Sequence, residues 1–336
     1  MPHKIESRRY TGSKAKLLDW IFTLIDEYCR GEIFVDIFAG TGVVAATAAT
    51  RFKHIILNDF LYSNYAIYYA FFAKSPWDRA KIEKMINQYN CIDTSKLKDN
   101  YFSKNFGDKY FPRITAKLIG EIREDIEKKK KVLTTKEYCV LLSSLIYSAD
   151  KVANTVGHYD AYIREKPTLN KFLLEIINPI NIDMVNIYRE DANLLANRVK
   201  ADVVYIDPPY NSRQYSRFYH VLETLTKWEK PKLYGVALKP HPENVSEYCK
   251  VAAPDKFSEL IRSLTCSYIV VSYNNTYNSK SSSSKNKIQL EQIKNILEKK
   301  GSTKIFNKKH RYFNSGKTNF DDHQEYLFIT KVNGSK

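Results

Sequence analysis

The stretch DIFAGTGVVA, Asp36 to Ala45, decides the fold of this chain. Before it stands the β-rich run IFV, and after it the small-residue helical pattern VVAATAATRF. A second apolar run, HIILND, then closes on Asp59. Strand, glycine turn, helix and strand in this order open a Rossmann-like, doubly wound α/β sheet. Gly40, Thr41 and Gly42 followed by Ala45 fit the G-x-G-x-x-A pattern. Glycine lets the backbone approach a ligand closely, and the helix beyond offers unpaired N–H groups. Asp59 lies about 20 residues after the turn, the distance at which an acid accepts hydrogen bonds from two ribose hydroxyls. An adenosine-containing cofactor is therefore expected. A nicotinamide dinucleotide uses the same geometry. Two details lean away from it: Asp36 sits inside the strand, where a carboxylate meets a cationic amino group, and Val43 and Val44 open the helix without polar phosphate ligands. An amino-acid nucleoside such as S-adenosylmethionine has the ammonium and lacks the pyrophosphate.

Strand texture returns in NIYRED, DVVYIDPPY, SYIVVSYNN and EYLFIT, while IQLEQIKNILEKKG reads as a helix closed by Gly301. At the head of the chain SKAKLLDWIFTLIDEYC has helical spacing. Residues 75–181 differ. Charged helical patterns such as DRAKIEKMINQYN, TAKLIGEIREDIEKKKK and KEYCVLLSSLIYSADKVA fill them almost without strand signals. The expected organisation is a catalytic domain of residues 1–74 and 182–336 carrying a mostly helical insertion at 75–181. A low-complexity loop is expected at Ser279 to Asn286.

The run YIDPPYNSRQY, Tyr205 to Tyr215, takes a buried strand into an acid, two prolines and an aromatic ring. A simple turn needs only one proline. These parts suit a planar amine, whose nitrogen lone pair is delocalised and poorly nucleophilic. A carboxylate (Asp207) and a backbone carbonyl (Pro208) that each accept one N–H pull such a nitrogen toward tetrahedral geometry. Proline has no N–H to compete and fixes φ, and Pro209 stiffens the turn again. Tyr210 supplies a face for stacking. Catalysis of this kind is mostly orientation, with Asp207 an electrostatic positioner rather than a strong base.

The order and spacing of these motifs resemble the DNA adenine-N6 methyltransferases of restriction–modification systems, with the cofactor motif ahead of DPPY. RRYTGSKAKLL is similar to the family's N-terminal motif, FVDIFAGTG to its glycine motif, ILNDF to its ribose motif, REDA to its adenine-side segment and YIDPPYNSRQY to its catalytic turn. Thr11 stands where the family more often carries Ile or an aromatic. The resemblance implies a class I S-adenosylmethionine-dependent methyltransferase that releases S-adenosylhomocysteine. It places Tyr10, Gly12 and Lys14 near the methionine end of the cofactor. Asp36, Phe38, Gly40 and Gly42 fall along its centre, Asp59 at the ribose and Asp191 at the adenine. Asp207, Pro208, Pro209 and Tyr210 become the catalytic turn that holds a flipped-out adenine. Cytosine-N4 enzymes usually carry Ser in place of Asp207, and RNA methylation stays open at this stage. An oxidoreductase would need a catalytic His or a Tyr/Lys pair after the switch point, and none stands out. A binding protein without chemistry would not need both Asp207 and Tyr210. His220 and Glu223, at i and i+3, read as structural.

The 53 Lys and Arg against 37 Asp and Glu give a formal charge of +16, an excess that favours a polyanionic partner. Double-stranded DNA is expected. The proposed readers are YSADKVANTVGHYDAYIREK within the helical insertion and the basic, aromatic NKKHRYFNSGKTN near the C-terminus. Arg213, Gln214 and Tyr215 are further candidates. Cys29, Cys91, Cys139, Cys249 and Cys266 are scattered without zinc spacing, so no metal is expected. No apolar run reaches the ~20 residues of a membrane helix. These features predict a cytoplasmic protein off the membrane, a monomer or weak dimer. The resemblance adds a cognate restriction endonuclease that acts on the same site without direct contact.

Overall fold

The computed structural model describes residues 2–165, 167, 171–276, 285–309 and 323–334. Its sheet has seven strands: β1 (Ile33–Asp36), β2 (His54–Asn58), β3 (Met184–Tyr188), β4 (Lys200–Ile206), β5 (Thr265–Asn274), β6 (Gly301–Lys309) and β7 (Gln324–Val332). They lie in the order β3-β2-β1-β4-β5-β7-β6. From β3 to β5 all neighbours are parallel, and β7 runs antiparallel to both β5 and β6. This is the Rossmann-like doubly wound sheet expected from the glycine turn, with an antiparallel strand inserted beside β5. Asp36 lies opposite Tyr205 on β4, and Asn274 lies opposite Glu325 on β7. The strand order reverses between β1 and β4, and such a switch point opens a crevice at the carboxyl ends of the strands. Because β7 is antiparallel, its first residues lie at that same edge.

The central strands are apolar along their length because helices cover parallel sheets on both faces. On one face Val35, Ile37, Val204, Ile206, Ile269 and Val271 pack with Leu195, Phe257, Leu260, Ile293 and Leu297. These come from the helices Ala192–Ala196, Ala253–Ser263 and Leu290–Glu298. On the other face Phe34 meets Phe22 of the helix Leu18–Tyr28, with ring centroids 6.2 Å apart.

Gly301 differs from its sequence reading. The helix ends at Glu298, and Gly301 opens β6 opposite Val332. A Cβ there would stand 2.0 Å from the Lys331 carbonyl oxygen, so close strand approach, not a helix stop, demands the glycine. β6 shows little alternation in sequence because it is a largely exposed edge. Lys304, Lys308 and Lys309 lie on it, and such charge on an edge blocks pairing with another chain.

The chain divides into two compact units. Gly12–Phe60, Asp183–Tyr215 and Asn244–Lys336 form the sheet unit; Met1–Thr11, Leu61–Ile182 and Ser216–Glu243 form the other. The second unit is helical, built on Tyr62–Phe72, Arg79–Asn90, Arg113–Lys128, Thr135–Val152 and His220–Lys227. Residues 75–181 lie within it. Local caps start its helices: Asp78 accepts from Lys81 N at 3.0 Å, and Thr134 and Glu137 form a reciprocal capping box. The helix Tyr62–Phe72 is held at both ends by buried charge matched to its dipole. Glu223 accepts the N–H groups of Tyr62 (3.0 Å) and Ser63 (2.8 Å). Lys136 donates to the Ala73 carbonyl at 2.6 Å. Burial pushes the Lys136 amine down to about 8.

Candidate active site

At the end of β1 the chain turns through Gly40 (φ 51°) and Gly42 (φ 77°) into the helix Val43–Ala48. Both angles lie in the left-handed region that side chains avoid. Two contacts brace the turn: Gly42 N donates to Ala39 O at 2.7 Å, and Gly40 N donates to Asp59 Oδ2 at 3.0 Å. Asn58, at the end of β2, ties three loops together. Its amide donates to Ile37 O (3.2 Å) and Glu190 O (3.1 Å) and accepts from Glu190 N (3.0 Å). Sequence reading passed over Asn58, because its partners are backbone groups far away in the chain.

Asp36 is 1% exposed, and neither carboxylate oxygen has a hydrogen-bond partner. Burial, and then the charges of Asp207 and Asp59, hold its pKa well above the carboxylate range; the nearby Ala45 N–H opposes this without reaching hydrogen-bond geometry. A buried carboxyl without partners beside a glycine cradle fits the ammonium of an amino-acid nucleoside, whose charge would favour its ionised form. Phe38 meets Tyr248 edge-on at 5.0 Å, and the Tyr248 hydroxyl donates to Asn193 at 2.7 Å. Asp191 caps the helix Ala192–Ala196, accepting from Asn193 N (2.9 Å) and Leu194 N (3.2 Å).

Asp207 follows β4 directly, with Pro208 buried behind it. Its Oδ1 accepts the Tyr210 hydroxyl, and its Oδ2 lies 3.1 Å from Lys14 Nζ. Lys14 also donates to the Tyr210 hydroxyl at 2.6 Å and is 4% exposed. Upstream, Gly12 (φ 83°) turns the chain where a Cβ would meet the Tyr215 hydroxyl at 3.1 Å. The Tyr210 ring stands edge-on to Tyr273 at 4.7 Å, and its carbonyl accepts from Lys287 N at 2.7 Å. Ring and carboxylate are thus fixed by separate neighbours. Burial lifts the Asp207 carboxyl, while Lys14 and Tyr210 limit the rise. Burial alone would lower the Lys14 pKa, but Asp207 and then Glu325 hold it above its ordinary value.

Glu325 escaped the sequence reading. It is 5% exposed, and its Oε2 lies 3.9 Å from Lys14 Nζ. Burial pushes its carboxyl up to about 7. The sheet unit therefore gathers Lys14, Asp36, Gly40, Gly42, Asp59, Asp207, Tyr210 and Glu325 at the carboxyl edge of its parallel strands.

Tyr10 belongs to the helical unit. It stacks on Tyr219 at 4.6 Å, with the buried Arg8 guanidinium 5.1 and 5.2 Å from the two rings. His220 and Glu223 are both buried and serve the fold: His220 Nε2 bonds to Tyr159 O at 2.9 Å, and burial lowers its pKa to about 3. Of the expected DNA readers, Asn154 is occupied internally, donating to the Lys109, Ile163 and Glu165 carbonyls. Tyr159 is buried and donates to Asp150 at 2.8 Å. Gln214 exchanges two hydrogen bonds with the Ser246 backbone. Most of NKKHRYFNSGKTN, like most of the loop at Ser279 to Asn286, lies outside the described residues.

Residues 10–272 match the model of the D12 class N6 adenine-specific DNA methyltransferases. Relatives include modification methylase LlaI of Lactococcus lactis subsp. lactis, 31% identical over 80% of this chain and 46% of its own length. Type II methyltransferase M.NlaIII of Neisseria lactamica is 30% identical over 95% of this chain and 98% of its own. M.CviAII of Paramecium bursaria Chlorella virus 1 is 30% identical over 96% and 98%. The chain thus spans less than half of the Lactococcus methylase and nearly all of the other two. With the match covering most of its length, this chain belongs to the D12 class N6 adenine-specific DNA methyltransferase family.

Proposed function

We propose that the protein methylates the N6 amino group of adenine at a specific site in double-stranded DNA, as the modification arm of a restriction–modification system. The observation that carries this reading is the contact of Lys14 with Asp207. A nitrogen already donates to the carboxylate of DPPY, beside an anchored aromatic ring. An adenine amino group in that place has its N–H on Asp207 and its ring against Tyr210. Asp207 thereby aims the lone pair, and Pro208 contributes the second acceptor.

Asp36 would take the ammonium of S-adenosylmethionine, Asp59 its ribose, and Asp191 and Phe38 its adenine end. Gly12, Gly40 and Gly42 would give the backbone room to approach. When bound, that cofactor supplies an electrophilic methyl group. Relatives named as type II methyltransferases support the restriction–modification context. Residues 75–181 are the proposed target reader, and a base read in this way must be swung out of the duplex at a cost of a few kcal/mol.

The test is to incubate a mixed-sequence plasmid with labelled S-adenosylmethionine and map the modified positions. N6-methyladenine within one short recurring sequence is expected. Label on cytosine, or no label, would reject the reading.

A further inference from the structure

We propose that Glu325 is a second seat for the Lys14 ammonium: an incoming amino group takes Asp207, and Lys14 moves onto Glu325. The inference deepens the methyltransferase reading and rests on it.

Lys14 Nζ is hydrogen-bonded to Tyr210 (2.6 Å) and lies 3.1 Å from Asp207 Oδ2. It is 3.9 Å from Glu325 Oε2, too far for a hydrogen bond. That Glu325 oxygen is buried and has no hydrogen-bond partner. A buried carboxyl oxygen left in this state is costly, and its register partner Asn274, whose side chain helps to hold the charged form, brings no counter-charge. Its charge makes sense if an ammonium comes to it. Lysine is suited to the exchange, since its ammonium rides on a flexible four-carbon stem. A shift of roughly 1 Å brings Nζ to charge-assisted hydrogen-bond distance.

The exchange also resolves a conflict at Asp207. Both of its oxygens are engaged, Oδ1 by Tyr210 and Oδ2 by Lys14. A substrate amine needs one of them. Simply expelling Lys14 would leave a buried ammonium without a counter-charge, which is strongly unfavourable. With Glu325 beside it, the cation changes partner and no buried charge is stranded. Asp207 keeps its Tyr210 hydrogen bond and trades one N–H donor for another. Glu325 thus acts as a positioning residue through Lys14.

Two measurements test this. In crystals of the Asp207→Asn protein, Lys14 Nζ should sit within hydrogen-bond distance of Glu325; a Lys14 that stays away from Glu325 overturns the proposal. In single-turnover assays, Glu325→Gln should slow methyl transfer roughly 10- to 100-fold, the scale of one hydrogen bond to a charged group, at unchanged cofactor affinity. Wild-type single-turnover rates in that variant overturn it as well. A wild-type protein that leaves adenine unmethylated defeats the methyltransferase reading alone. The Asp207→Asn crystals still decide where Lys14 sits.

Discussion

The Asp59 carboxylate accepts the Gly40 backbone N–H at 3.0 Å, so the acid at the end of β2 braces the glycine turn at the end of β1. It links the two halves of the proposed cofactor site. Asp59→Ala should weaken S-adenosylmethionine binding by about 1.5–3 kcal/mol, the loss of a charged acceptor. Asp59→Asn keeps an acceptor for Gly40 and should lose less. Calorimetry on both variants checks the order; equal losses would separate the turn from the ligand.

Asp207 and Tyr210 should fail differently. Asp207→Ala should cut methyl transfer by at least about 10²-fold, as for removal of a preorganised electrostatic group. Cofactor affinity and base extrusion should stay near wild type. Tyr210→Ala should weaken capture of the flipped base by about 1–3 kcal/mol, the scale of base–aromatic stacking. A fluorescent adenine analogue reports extrusion and a single-turnover assay reports transfer. Near wild-type transfer by Asp207→Ala would make the turn structural.

Glu325 carries a pH signature. Its carboxyl is pushed up to about 7 in the fold, above the ordinary glutamate value of 4.5. A raised folded pKa means that the native state holds the extra proton, so stability is full below about 4.5 and is lost as pH climbs through about 7. Glu325→Gln removes that loss. Its melting temperature should exceed wild type at pH 8, by an amount equivalent to as much as about 3 kcal/mol, and the gain should fade by pH 5. A gain equal at both pH values would rule out ionisation as its source.

Asp191 has a demonstrable structural task as the N-cap of Ala192–Ala196. Asp191→Ala should cost about 1 kcal/mol of stability and Asp191→Asn much less, since asparagine caps equally well. If the carboxylate also serves the cofactor, Asp191→Asn should lower cofactor affinity while melting like wild type. Unchanged affinity in Asp191→Asn would confine the residue to its cap.

DNA affinity should fall steeply with salt, given the +16 formal charge. A log–log slope of about −0.9 per neutralised phosphate is expected from titrations in a duplex carrying the target. A flat salt response would remove the electrostatic basis of binding.

The sequence by itself determined what depends on neighbours in the chain. Left-handed glycines, helix caps and the proline-stiffened acid all write local φ and hydrogen-bond requirements into consecutive residues. From Asp36 to Ala45 it therefore carried the sheet type, and together with Tyr205 to Tyr210 the family. Only the tertiary structure decided what meets across it. Lys14, Asp207 and Glu325 are far apart in sequence, and no local pattern joins them. They meet because β4 and the antiparallel β7 bring opposite chain directions to one carboxyl edge. β6 stayed hidden for the related reason that an exposed edge strand keeps little hydrophobic period. Asn154, Tyr159 and Gln214 look like DNA ligands in sequence, but the fold uses them to satisfy its own backbone and buried polar groups. Hydrogen-bond demand inside a packed unit overrides the surface role that residue type alone suggests.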